Sequence, residues 1–185
     1  ASLLLGLSVA RLTLSAWPFA QEFLADFESS ESDLVYPEFN AMHVRKPAVA
    51  WQECRWRVLG IDPGGGDPTA IVALGLYTSS YGDVIHQYAP EFYQRGGASV
   101  QDIGAYCGQW GSFNGVAVGE TGGSVITDSL RAMGFPAFQA DQRREEGLEH
   151  VRMLLQQNRL LIDPDCRNSI AEFSGYRWAK RKDGA

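Results

Sequence analysis

Hydrophobic positions in this chain fall into short runs separated by glycine-rich or polar turns, a pattern that predicts strands alternating with helices. The first run is Val58, Leu59, Gly60 and Ile61. It is unbroken and is followed by Asp62, Pro63 and three glycines, so it reads as a buried strand that delivers a carboxylate into a compulsory turn. Residues 69–77 and 84–93 are rich in β-formers and are separated by a Ser/Gly loop, which predicts three consecutive antiparallel strands with Asp62 and Asp67 near the mouth of the first hairpin.

Helical spacing takes over at Ser99, which caps a helix through Asp102 in the manner of a capping box, with Val100, Ile103, Tyr106 and Trp110 on one stripe. Residues 116–120 then form a buried strand ending in Glu120, and Thr121, Gly122 and Gly123 turn the chain into a helix over 124–133 with Val125, Ser129 and Met133 inward. Gly134 ends that helix. A short strand over 135–140, a helix over 143–158 with Leu148, Val151 and Leu155 inward, and a strand over 160–162 follow. Residues 170–178 form a last apolar and aromatic piece, so the order is βββαβαβα with an addition at the end.

The first 50 residues read differently. Phe19, Phe23 and Phe27 lie on one stripe after Pro18, predicting a short amphipathic helix over 17–28, and residues 35–39 read as a short extended piece. The apolar start, with Leu3, Leu4, Leu5 and Leu7, is interrupted by Arg11 and falls short of the ~18 apolar residues that a membrane span needs. Residues 1–55 are therefore expected to be a connector that packs on protein, and residues 56–185 the main domain.

At 185 residues the chain can hold one domain with a sizeable core. The net charge of −6 argues against a protein whose main task is coating nucleic acid. Its distribution changes the picture: residues 1–130 hold 6 Lys/Arg against 14 Asp/Glu, and residues 131–185 hold 10 against 8. Arg143 and Arg144 read equally as contacts to DNA phosphates or as partners of Glu146, whereas Lys180, Arg181 and Lys182, with Tyr176 and Trp178, read as a solvated face in preference to a nucleic-acid contact. Cys54, Cys107 and Cys166 are widely spaced with no CxxC pair, which excludes a zinc or disulfide framework and fits a reducing cytoplasm. The three histidines read as packing or surface groups, and the five tryptophans as core and connector packing.

The candidate chemistry comes from strand order. A crossover helix returns the fourth strand beside the first, so Asp62 and Glu120 would lie side by side at one end of a central sheet. Two carboxylates at neighbouring strand ends form an oxygen-ligand site suited to Mg²⁺ or Mn²⁺. Phosphodiester hydrolysis is the chemistry such a site serves, with two metals about 4 Å apart.

Leu59 to Gly64 followed by Thr69, Ala70 and Ile71, the run from Val116 to Glu120, the segment Arg159 to Ile162 and Tyr176-Arg177-Trp178 together resemble the C-terminal ribonuclease-H-like nuclease domain of tailed-phage terminase large subunits. Upstream, residues 22–27 and 35–39 are similar to the segment joining that family's ATPase to its nuclease. The resemblance implies an α/β, ribonuclease-H-like mixed sheet, three antiparallel strands then parallel strands, with flanking helices. It implies a metal-dependent endonuclease that cuts concatemeric viral DNA in a bacterial host cytoplasm, with double-stranded DNA, the terminase small subunit and the portal protein as partners and no membrane. Asp62 and Glu120 match the family's first and second metal ligands, and Asp67 looks like an auxiliary acid. The family's third ligand lies on a helix beyond the Tyr-Arg-Trp region; Asp163, Asp165 and Asp183 are acids of the right type outside that context, so the third acid is expected to be absent. No Gly-Lys-Ser/Thr phosphate loop occurs in these residues.

Two other readings stand beside it. An actin, Hsp70 or sugar-kinase nucleotide fold shares the opening strand, Asp and Gly-rich turn, and the run from Gly119 to Ser124 looks like its second phosphate loop, although two such lobes need a longer chain. The other is a non-catalytic piece that docks on a packaging motor.

Overall fold

The computed structural model describes residues 34–64, 68–119, 123–141 and 143–178. The helix expected over 17–28 and the basic residues Lys180, Arg181 and Lys182 lie outside the described residues, as do Asp67, Glu120 and Asp183. The strands are β1 (Trp56–Asp62), β2 (Thr69–Ser79), β3 (Gly82–Gln94), β4 (Gly115–Val118), β5 (Ala137–Gln139) and β6 (Leu160–Ile162). The helices are α1 (Val100–Gln109), α2 (Gly123–Ala132), α3 (Arg144–Gln156) and α4 (Arg167–Gly175).

The strands form one sheet in the order β5-β4-β1-β2-β3-β6. β1, β2 and β3 are antiparallel neighbours, whereas β4 runs parallel to β1, β5 parallel to β4 and β6 parallel to β3. The β2–β3 connection is tight enough to require Gly82 at φ 111°, a conformation that a side chain disfavours. Parallel pairing needs a crossover, and α1 supplies the one that returns the chain to β1. The fold is therefore the ribonuclease-H-like mixed sheet, with β6 added along the free edge of β3.

Alternation along the strands divides the core into two layers. Leu59, Ile61, Ile71 and Ala73 face Ile103, Tyr106 and Cys107 of α1 and Leu130 of α2. Val72, Leu74, Leu76 and Ile85 face the other way, onto Leu148, Val151, Leu154 and Leu155 of α3 and Phe173 of α4. Ser99 caps α1 as its sequence predicts: its hydroxyl accepts from the Asp102 amide at 3.1 Å, and Asp102 accepts from the Ser99 amide at 3.2 Å.

The structure corrects several expectations. In α2 Thr127 and Leu130 are buried and Ile126 partly so, while Val125 is 68% exposed and Met133 45% exposed. Both stripes carry an i, i+4 repeat, and the phase is decided by the sheet beneath the helix, which local spacing does not encode. The aromatic piece over 170–178 is the helix α4 from Arg167, ended at Tyr176, whose extended backbone leads into a bridge between Arg177 and Leu34. Trp51 and Trp110 are buried edge to face at 4.8 Å, but Trp56 and Trp178 are 39% and 46% exposed and are not core.

The segment before β1 lies on α3, β6 and α4. Val35 donates to the Tyr176 carbonyl at 2.9 Å, Arg45 to that of Ile162 at 3.0 Å, and Tyr36 and Phe39 pack near Phe173 at 4.9 and 5.1 Å. Glu38 accepts from Arg152 at 2.8 and 3.0 Å. Residues 35–39, expected to be extended, turn after Tyr36 so that this carboxylate reaches α3. His86 of β3 is fully buried and donates from Nε2 to the Arg45 carbonyl at 3.0 Å, leaving Nδ1 without a partner. No helix among the described residues is long and apolar enough to cross a membrane.

The packing and the burial of His86 are each open to measurement. Leu130→Ala is expected to destabilise by about 2–5 kcal/mol and Val125→Ala by less than ~0.5 kcal/mol, read by urea denaturation, because one leaves a cavity and the other only trims a surface. Burial lowers the His86 pKa to about 4 from an ordinary 6.5, so its neutral form is favoured in the fold. A depressed folded pKa gives stability that is present above pH 6.5 and lost as pH falls toward 4. Unfolding free energy should drop by about 2 kcal/mol between roughly pH 7 and pH 5, and His86→Gln should flatten that slope.

Candidate functional site

Asp62 closes β1 and pairs across the ladder with Ala70, which pairs with Tyr93 of β3. Residues directly opposite in a sheet share a face, so Asp62, Ala70 and Tyr93 form one row. Tyr93 is 47% exposed, and Asp62 is half-buried. Because Val58 and Gly60 precede it at alternate positions, Asp62 belongs to the face covered by α3 and α4. On its other side the Gly119 amide donates to the Ile61 carbonyl at 2.8 Å, continuing the β1–β4 register of Ile61 with Val118. The chain thus leaves β4 beside Asp62. Glu120 is the next residue in the sequence, and its own position lies outside the described residues.

Helix α4 brings further acids to this face. Its first turn has no side-chain cap of its own, and Glu91 of β3 takes that role from across the sheet. One oxygen of Glu91 accepts from the Asn168 amide at 2.6 Å and its side chain at 2.9 Å. The other accepts from the Ser169 amide at 3.0 Å and its hydroxyl at 2.6 Å. A carboxylate suits a helix N-terminus, where amides lack intrahelical partners and the dipole is positive. Gln87 donates to the same Ser169 hydroxyl at 2.6 Å, so the network runs from an exposed end at Asn168 to a buried one at Gln87. The register shift of β3 against β2, between Ile71 and Ala73, is what places Glu91 there.

Glu172, further along α4, completes the group. Burial, and with it repulsion from Asp62 and Glu91, pushes its carboxyl above the ordinary glutamate range. Like charges therefore face one another across the end of the sheet. Both oxygens of Glu91 are taken by α4, which makes it a structural acid. Asp163 and Asp165 are tied to Lys46 at 2.9 and 2.6 Å. Arg143 is bound to Asp141 and reaches Glu146 at 3.4 Å, so it is engaged in ion pairs, and only the backbone of Arg144 is described. Burial raises the thiols of Cys107 and Cys166 to about 12, which removes them as thiolate nucleophiles.

Among the described residues no group of three His, Cys, Asp or Glu side chains is placed to hold a metal ion. The donor chemistry nonetheless fits a hard cation: among the described residues, Asp62 and Glu172 bring carboxylate oxygens to this face. Sequence reasoning missed Glu91 and Glu172. Neither carries a spacing signal, since only the bulge in β3 and the docking of α4 bring them toward Asp62.

No protein-family profile matches the chain. It is 27% identical over 180 residues to the terminase large subunit of Escherichia phage T5, across 91% of this chain and 40% of that protein. The chain thus spans less than half the length of this relative. The structure is similar to that of the large terminase of a thermophilic bacteriophage, with a TM-score of 0.68 and 21% identity over 80% of this chain and 37% of that one. It is also similar to the large terminase nuclease domain of bacteriophage SPP1 with bound Mn, with a TM-score of 0.54 and 16% identity over 76% of this chain and 81% of that domain. The chain has the fold of a terminase large-subunit nuclease domain and is similar in sequence to part of such a subunit.

If Glu91 is the cap of α4, Glu91→Ala should lower the unfolding free energy by about 1–3 kcal/mol and Glu91→Gln by less, measured by urea denaturation at neutral pH. Unchanged stability in Glu91→Ala would show that the helix end does not need the acceptors.

Proposed function

We propose that this chain is the endonuclease domain of a phage DNA-packaging terminase, cutting concatemeric double-stranded DNA with Mg²⁺ or Mn²⁺. The observation that carries this reading is Asp62 at the end of β1 beside the exit of β4, which leads directly to Glu120, in a fold shared with a nuclease domain that binds Mn. Asp62 and Glu120 would hold the metal, and Asp67, which falls between β1 and β2 in the sequence, would serve as an auxiliary acid. The ion supplies, when bound, a water of lowered pKa and charge stabilisation at the scissile phosphate.

The protein's own part is positional. Asp62 sits on a strand paired on both sides, so its carboxylate is presented from rigid backbone. The face it shares with Glu172 is acidic and would repel a phosphodiester until a cation is present. That makes DNA engagement at this edge dependent on metal. Residues 1–55 would join this domain to the motor ATPase of a longer protein, with the terminase small subunit and the portal protein as the partners of that whole assembly. Arg143, Arg144, Lys180, Arg181 and Lys182 would contact DNA phosphates, Arg143 only after release from Asp141.

In Mn²⁺ the protein is expected to nick supercoiled plasmid without sequence preference, and Asp62→Ala or Glu120→Ala to lower the rate by more than ~100-fold. Plasmid relaxation followed on gels checks this. Cleavage that persists in both variants would remove the proposed site.

A further inference from the structure

Thr69, the first residue of β2, is 1% exposed, an unusual place for a hydroxyl at the end of a sheet. Its Oγ accepts two backbone hydrogen bonds from two different loops, the Gly64 amide at 3.1 Å and the Ala98 amide at 2.9 Å. Gly64 belongs to the turn that leaves β1, and Ala98 to the segment that enters α1. The same two loops touch again nearby. Gly97 has φ +81°, and a Cβ there would stand 2.8 Å from the Gly64 carbonyl oxygen, so only glycine allows the approach. The Gln94 side chain donates to the Gly97 carbonyl at 3.0 Å and fixes the second loop to β3.

Asp62 is two residues from this junction, with the buried Pro63 between. Proline fixes φ near about −65°, so the orientation of the Gly64 peptide is transmitted to Asp62 with little freedom. We infer that Thr69 is a positioning residue, whose hydroxyl, by holding Gly64 against Ala98, sets the direction in which Asp62 offers its carboxylate to a divalent cation. This rests on the metal-dependent reading above and deepens it. A methyl group in place of the hydroxyl would leave two amides without their acceptor.

The test uses the 185-residue chain with Thr69→Val, Thr69→Ser and Asp62→Ala. Manganese affinity is measured by titration calorimetry, and amide exchange is followed at Gly64 and Ala98. Thr69→Val should lose protection at both amides and bind Mn²⁺ about tenfold more weakly, while Thr69→Ser stays within about twofold on both measures. A residue that only stabilises the fold would move the urea midpoint and leave the affinity where it was. If Thr69→Val does not fold, Gly97→Ala strains the same contact from the opposite loop and should weaken Mn²⁺ binding likewise. Wild-type affinity in Thr69→Val or, where that variant does not fold, in Gly97→Ala, with affinity lost in Asp62→Ala, overturns the inference and leaves the metal reading standing. Undiminished affinity in Asp62→Ala overturns both.

Discussion

β1 has to satisfy two different ladders at once, antiparallel to β2 along its whole length and parallel to β4 from Val58 to Ile61. Its register is therefore fixed twice, since a slip of one residue would turn Leu59 and Ile61 out of the core and break both sets of bonds. Asp62 is the residue at which this double constraint ends. It is the last pair with β2, opposite Ala70, and it stands beside Gly119, where β4 has already left the ladder. A polar group at that point can leave the apolar layer while its backbone stays held, which is the condition for presenting a carboxylate in one direction.

The electrostatics of that edge follow from how α4 is fastened. A helix whose first amides lack a local cap needs an acceptor from elsewhere, and Glu91 provides it from the bulged part of β3. The same docking that satisfies those amides carries Glu172 to the face of Asp62. Stability at one end of the helix and a concentration of negative charge further along it are two results of one contact. The basic groups Lys46 and Arg143 do not offset this, because each is bound to acids at other places in the fold.

What was legible in the sequence was whatever local chemistry determines. The apolar runs marked the strands, the turn after the first of them marked Asp62, Ser99 and Asp102 marked the start of α1, and the crossover rule placed β4 beside β1. What escaped was decided by contacts distant in sequence. The stripe of α2 could be read as Val125, Ser129 and Met133 or as Ile126 and Leu130, and only the sheet chooses. Thr69 was visible as a β-former, but its two loop amides come from residues five positions before and 29 after it. Glu91 looked like one more residue of a strand until the bulge and α4 gave it four donors.

The segment before β1 belongs to the same mechanical unit. Val35, Tyr36 and Phe39 hold the C-terminal end of α4 through Tyr176 and Phe173, while Glu91 holds its N-terminal end. Glu172 lies between these two fastenings. Arg45 and His86 link the same segment to β6 and β3, and Glu38 links it to α3. Removing the apolar contacts of Tyr36 and Phe39 would expose Phe173, a side chain whose burial contributes about 1.5–3 kcal/mol. It would also leave α4 held mainly at its first turn, where the Glu91 bonds could act as a pivot. The position of Glu172 relative to Asp62 is thus set jointly by a strand inside the sheet and by a segment outside it, and a displacement of that outer segment reaches the acidic edge through a single helix.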